Sequence, residues 1–199
     1  MPDYKYENAV KSKGFKLVCG VDEAGRGPLA GPVCAAAVIL PEDAVIEGLN
    51  DSKKLSEKKR EALYDVIKEK AIAFCVAYGT LEEIETLNIL QATFLAMNRA
   101  IDGLAVKPDF ALIDGNRVPK DIKIPCETVV KGDGKSMSVA AASVLAKVTR
   151  DRLMLEYDKK YPEYDFKKHK GYGTKEHTEL IKKYGPCEIH RMSFLKNIL

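Results

Sequence analysis

Residues 33–40, Val-Cys-Ala-Ala-Ala-Val-Ile-Leu, are eight consecutive apolar positions with no polar alternation. A strand with one wet face alternates, whereas one that is apolar throughout needs cover on both faces. The run is far too short to span a bilayer, which takes about 20 apolar residues. It therefore predicts a buried strand in a sheet covered on both sides.

The surrounding pattern agrees with that frame. Residues 16–21 read as a strand and residues 25–32 as a Gly/Pro-rich loop. Ser56 is placed to cap a helix running to about residue 70, with Leu63, Val66 and Ile67 as its apolar stripe. Residues 71–78 read as a strand. Thr80 and Glu83 fit a capping box that opens a helix or helix pair ending near residue 104. Strands are expected at 110–114 and 122–130, and helices from 138 to about 157 and from the cap Thr174 to Tyr184. No repeat or linker interrupts the chain, so residues 1–199 are expected to form a single domain of mixed α/β class with a helical C-terminal third.

Composition excludes several alternatives. At 31% charged and 46% hydrophobic the chain is neither disordered nor fibrous. With no apolar segment near residue 1, a cytoplasmic protein without membrane attachment is expected. Five dispersed cysteines form no C-x-x-C pair, which points to free thiols in a reducing compartment and not to disulfides or zinc. The net charge of +3 hides an asymmetry. Residues 1–130 carry 17 basic and 20 acidic side chains, and residues 131–199 carry 15 basic and 9 acidic. A basic C-terminal part, from about residue 138, suits a polyanionic partner or a solvated face.

Carboxylates at strand ends are the sharpest chemical feature. Asp22-Glu23 follows the first strand, Asp114 closes the strand at 110–114, and Asp133 follows Thr128-Val129-Val130. Converging carboxylates need a cation between them, and hard oxygen ligands select Mg²⁺ or Mn²⁺. Asp-Gly after a strand is also ordinary turn chemistry. Successive strand residues point to opposite faces, so Asp22 and Glu23 reach one metal cluster only if the strand bends. Otherwise one of them contributes its main-chain carbonyl.

Gly25-Arg26-Gly27 supplies two glycines for close backbone approach and a guanidinium suited to phosphate. Gly134-Lys135-Ser136 has the ending of a phosphate-binding loop, but Val129 stands where that motif needs glycine; Lys135 and Ser136 are kept as phosphate contacts. The basic loop 167–173 offers Lys170 to a phosphate backbone and Tyr172 for stacking. From the residues alone, a metallonuclease, a metal-dependent phosphohydrolase and a non-catalytic nucleic-acid binder all fit.

The run Gly20-Val21-Asp22-Glu23-Ala24-Gly25-Arg26-Gly27-Pro28 resembles the opening signature of the type 2 ribonucleases H. Further blocks match in order: Asn50-Asp51-Ser52-Lys53-Lys54-Leu55, Leu112-Ile113-Asp114-Gly115, Lys131-Gly132-Asp133, Ala140 through Asp151, His169 through Thr174, and His190-Arg191-Met192-Ser193-Phe194. The likeness is nearest to bacterial members that carry Gly-Arg-Gly and lack an extra N-terminal domain. No C-terminal helical extension is expected after Phe194.

This resemblance implies a ribonuclease H-like fold with a central mixed β-sheet flanked by helices. It implies an endoribonuclease that hydrolyses the RNA strand of RNA/DNA hybrids; a monomer is expected. Such an enzyme also cuts 5′ of single ribonucleotides embedded in duplex DNA, leaving 3′-OH and 5′-phosphate ends. The implied cofactors are two divalent ions, Mg²⁺ or Mn²⁺, on Asp22, Glu23, Asp114 and Asp133. The implied substrate contacts are Gly25, Arg26 and Gly27, whose backbone senses the ribose 2′-OH, and Tyr172 against the neighbouring deoxyribose. Lys53, Lys135, Ser136 and Lys170 complete the candidate set. The implied partners are hybrid and ribonucleotide-containing duplexes, with any replication accessory protein left unidentified.

Overall fold

A computed structural model describes all of residues 1–199. In chain order the elements are α1 (Lys5–Lys11), β1 (Val18–Ala24), β2 (Val33–Ile39), α2 (Glu57–Lys70), β3 (Ala73–Gly79), α3 (Leu81–Leu87), α4 (Ile89–Asp102), β4 (Phe110–Asp114), β5 (Cys126–Val129), α5 (Met137–Lys160), the single-turn α6 (Phe166–His169) and α7 (Lys175–Tyr184). The strands form one sheet in the order β3-β2-β1-β4-β5. Strands β3, β2 and β1 are antiparallel neighbours, while β1, β4 and β5 run parallel. No strand follows β5, so the C-terminal third is helical as expected.

All seven residues of β2 are buried. Cys34, Ala36 and Val38 join a core with α2 and α5, and Ala35, Ala37 and Ile39 join another with α4. The unbroken apolar run is therefore explained by helices on both faces. Helix α5 lies so close to β1 that a Cβ on Gly20 would come within 2.1 Å of the Ser138 main chain. Glycine at position 20 and the small residues Ala140, Ala141 and Ala142 permit that approach. A separate cluster of Leu29, Met154, Tyr164, Phe166, Ile181, Ile189 and Leu195 holds the C-terminal helices to the loop after β1.

Ser56, Thr80 and Thr174 cap their helices as expected, Thr80 and Glu83 forming the capping box. Three differences have physical causes. β1 continues through Asp22 and Glu23 instead of stopping at residue 21, because pairing with β2 holds to Ala24 opposite Cys34. The helix pair breaks at Asn88, whose positive φ of 81° ends α3 while its side chain caps α4. Helix α1 gave no apolar stripe to read; it is anchored by Val10 in the core and by the buried carboxylate of Glu7. All five cysteines are free thiols.

Candidate active site

Strands β1 and β4 pair as far as Val21 opposite Ile113. The next residues on the two strands are Asp22 and Asp114, side by side where the ladder opens. A left-handed Lys131 then turns the chain after β5 into a 3-10 turn, Gly132–Gly134, which brings Asp133 to the same point. Carboxylate oxygens of Asp22, Asp114 and Asp133 all lie within 4.8 Å of one another. Asp114 is oriented by main-chain donors, its Oδ1 accepting from Gly132 N–H at 2.7 Å and Asp133 N–H at 3.4 Å.

This cluster is out of electrostatic balance. Asp22 is only 4% exposed and Asp133 6%. Burial first, then the charges of Glu23 and Asp114, push the Asp22 carboxyl well above the usual carboxylate range. Burial and the charges of Asp114 and Asp51 push Asp133 in the same direction. The nearest compensating cation, Lys53 Nζ, stands 3.9 Å from Asp133 on a largely solvated side chain. Its own pKa is raised: partial burial pulls it down, and Asp22, Asp133, Asp51 and Asp114 more than offset that. Three close carboxylates with no buried counter-ion fit a hard divalent cation.

Glu23 occupies a different position. The strand is regular through Asp22 and Glu23, so their side chains take opposite faces. The Glu23 carboxylate pairs with Arg26 at 3.4 Å and lines a cavity of about 370 Å³ with Asp114, Asn116, Arg117 and residues of α4. Burial raises its pKa, with Arg26 opposing. A second cavity, of about 200 Å³, joins Gly25, Arg26 and Gly27 to Lys53, Ser52, Ser143, Lys147 and Tyr172. Gly25 has φ +95°, and a Cβ there would lie 2.0 Å from Arg150 Nε, so glycine is required twice over. Tyr172 is 41% exposed, with Lys147 Nζ at 5.8 Å and the Arg150 guanidinium at 5.9 Å from its ring centre.

Two of the expected contacts do not line either cavity. Ser136 is fully buried. Its hydroxyl caps α5 at Val139 N–H and donates to Glu7 at 2.6 Å, so none of it faces the cleft. The Lys170 ammonium turns back onto the carbonyl of Lys167, and its main-chain oxygen accepts from Arg150. Lys135 stays exposed beside Asp133. Lys147, Asn116 and Arg117 are cleft residues that pattern reasoning missed. The spacing of Ser143, Lys147 and Asp151 at four-residue intervals, which puts them on one face of α5, was the available signal for Lys147.

Fold and site together define a metal-dependent nuclease of ribonuclease H-like architecture, type 2. The sequence model of the family Ribonuclease HII matches residues 19–197, and the chain belongs to that family. A ribonuclease HII of Caldicellulosiruptor bescii is 54% identical over 98% of this chain and 95% of its own length. Among solved structures, the ribonuclease H2 of Pyrococcus horikoshii superposes with TM-score 0.75 at 28% identity, covering 92% of this chain and 97% of that one. The ribonuclease HII of Archaeoglobus fulgidus, solved in complex with PCNA, gives 0.72 at 25% identity over 89% and 94%. The chain is therefore a ribonuclease H acting on RNA paired to DNA. No helix is long and apolar enough to cross a membrane.

Proposed function

We propose that the enzyme cuts duplex DNA 5′ of single embedded ribonucleotides as well as RNA/DNA hybrids, leaving 3′-OH and 5′-phosphate ends. Two observations support this reading: the cavity that holds Asp114 and the cavity lined by Gly25–Gly27 and Tyr172 share Glu23 and Arg26, and the main-chain N–H groups of Arg26 and Gly27 have no acceptor within the chain.

Asp22, Asp114 and Asp133 would hold the divalent ions, Mg²⁺ or Mn²⁺, and Glu23, whose side chain takes the other face of the regular strand, would contribute its main-chain carbonyl. Two such ions supply Lewis acidity that stabilises charge on the attacking and leaving oxygens of a phosphodiester. Gly25, Arg26 and Gly27 approach the ribose, where N–H donors can meet the 2′-OH that marks RNA. Tyr172 packs on the neighbouring deoxyribose, and Lys53 and exposed Lys135 donate to phosphates.

A DNA duplex with one central ribonucleotide provides the test. With Mg²⁺ or Mn²⁺ a single cut 5′ of the ribonucleotide is expected, and EDTA should stop it. Cutting of continuous hybrid with no cut at the lone ribonucleotide would overturn the reading.

A further inference from the structure

Beneath the Gly25–Gly27 loop lie two arginines, Arg150 and Arg191, both fully buried. Their six hydrogen bonds all end on main-chain carbonyls. Arg191 donates to Gly31, Arg26 and Gly25 at 2.8, 3.0 and 2.6 Å. Arg150 donates to Pro32, Lys170 and Ala30 at 3.1, 3.0 and 2.9 Å. A buried guanidinium is costly unless its donors are satisfied. Here they are satisfied by neutral acceptors, so neither guanidinium is held by an ion pair. Burial and the neighbouring Arg150 lower the Arg191 pKa to about 9, which still leaves it charged at neutral pH.

The consequence lies in peptide geometry. In a trans peptide the C=O and the following N–H point in opposite directions. With the carbonyls of Gly25 and Arg26 tied inward to Arg191, the N–H groups of Arg26 and Gly27 must face the cleft. Arg150 completes the floor. It fills the space where a Gly25 side chain would stand, and it grips the carbonyl of Lys170, two residues before Tyr172.

We propose that Arg150 and Arg191 are positioning residues for ribose recognition. They set the direction of the two free N–H groups and join that loop to the one bearing Tyr172, without touching substrate. Discrimination between ribonucleotide and deoxyribonucleotide then depends on a buried pair of cations. This rests on reading the Gly25–Gly27 backbone as the sensor of the 2′-OH.

The test compares binding to a duplex with one ribonucleotide and to the same duplex in all-DNA form, with Ca²⁺ replacing Mg²⁺. Wild type should prefer the ribonucleotide. Arg191→Lys keeps the charge but not the planar fork. It should lower that preference at least ~5-fold while changing all-DNA affinity less than ~2-fold, a split that a general loss of folded protein would not produce. Arg150→Lys, which leaves Arg191 on the loop, should lower the preference by a smaller factor and serves as the readout if Arg191→Lys does not fold. A wild-type preference that survives unchanged in both variants overturns this inference alone. A wild type with no preference overturns the backbone-sensor reading, and this inference with it.

Discussion

The two walls of the cleft are built on opposite electrostatic errors. One wall gathers Asp22, Asp114 and Asp133 with no buried cation among them. The other buries Arg150 and Arg191 on carbonyls alone. Neither wall balances its charge with a buried ion pair. A divalent ion suits the first, whereas the second keeps its cations beneath the loop, where they act on main-chain carbonyls. Acid should separate them, since it neutralises carboxylates with raised pKa values and cannot neutralise arginine.

Removing a charge from the acidic wall should have the largest effect. Asp114→Asn should cut cleavage by at least ~10³-fold while leaving duplex binding in place. Relief of repulsion should also stabilise the metal-free protein by about 1 kcal/mol, seen as a raised melting temperature. Mg²⁺ should stabilise wild type but not this variant. A variant of near-normal turnover, measured by gel-based cleavage, would break the comparison at its acidic side.

The cationic wall rests on three buried histidines, and acid reaches it through them. His177 Nδ1 bonds the Tyr172 carbonyl at 2.9 Å, so its Nε2 must accept from His190 Nε2–H, leaving His190 Nδ1 to accept from Cys187 N–H. His169 Nδ1 accepts from Gly171 N–H and its Nε2–H donates to Tyr164. These bonds require neutral rings. Burial lowers both His177 and His190 from 6.5 to about 4. Between those values the unfolded chain takes up protons that the folded chain refuses. Their contribution to stability is therefore complete above pH 6.5 and is lost toward pH 4, by up to about 3 kcal/mol for each ring. Over the same range Asp22, Glu23 and Asp133 favour the protonated fold, so their contribution rises. Unfolding curves from pH 7 to 4.5 should show His177→Gln less stable at pH 7 but with a flatter slope; equal slopes would remove the histidines from the account.

The smallest expected effect is also the most specific. Tyr172→Ala should cost about 10-fold at a lone ribonucleotide, within the range of one lost stacking contact. On continuous hybrid the loss should stay near ~2-fold, because further contacts along the strand remain. Equal losses on both substrates would separate Tyr172 from junction recognition.

The acidic wall was far more legible than the cationic one. Asp22, Asp114 and Asp133 stood out by their place at or shortly after strand ends, although turn chemistry accounts for any one of them alone and only their convergence sets them apart. Arg150 and Arg191 were not, because an arginine in a basic third reads as surface until its carbonyl partners, up to 166 residues away in the chain, are known. The same blindness affected Ser136, whose partner Glu7 lies 129 residues away. The basic surplus itself also changed meaning. Lys147, Arg152, Lys159, Lys160, Lys167, Lys168 and Lys175 are each paired with an acidic side chain, so less of that charge is free for phosphate than its total implies.

The fork between β1 and β4 supplies the site with its unit of length. Neighbouring strands stand about 4.8 Å apart wherever a sheet forms. The spacing of Asp22 and Asp114 is thus inherited from main-chain hydrogen bonds and owes little to the packing around them. Substitutions in the surrounding helices can drift without altering that dimension. Only a slip in strand register could change it, and a slip of one residue would turn the whole of β1 inside out. The spacing of these two carboxylates is tied to the one measurement that the fold cannot lose without ceasing to be this fold.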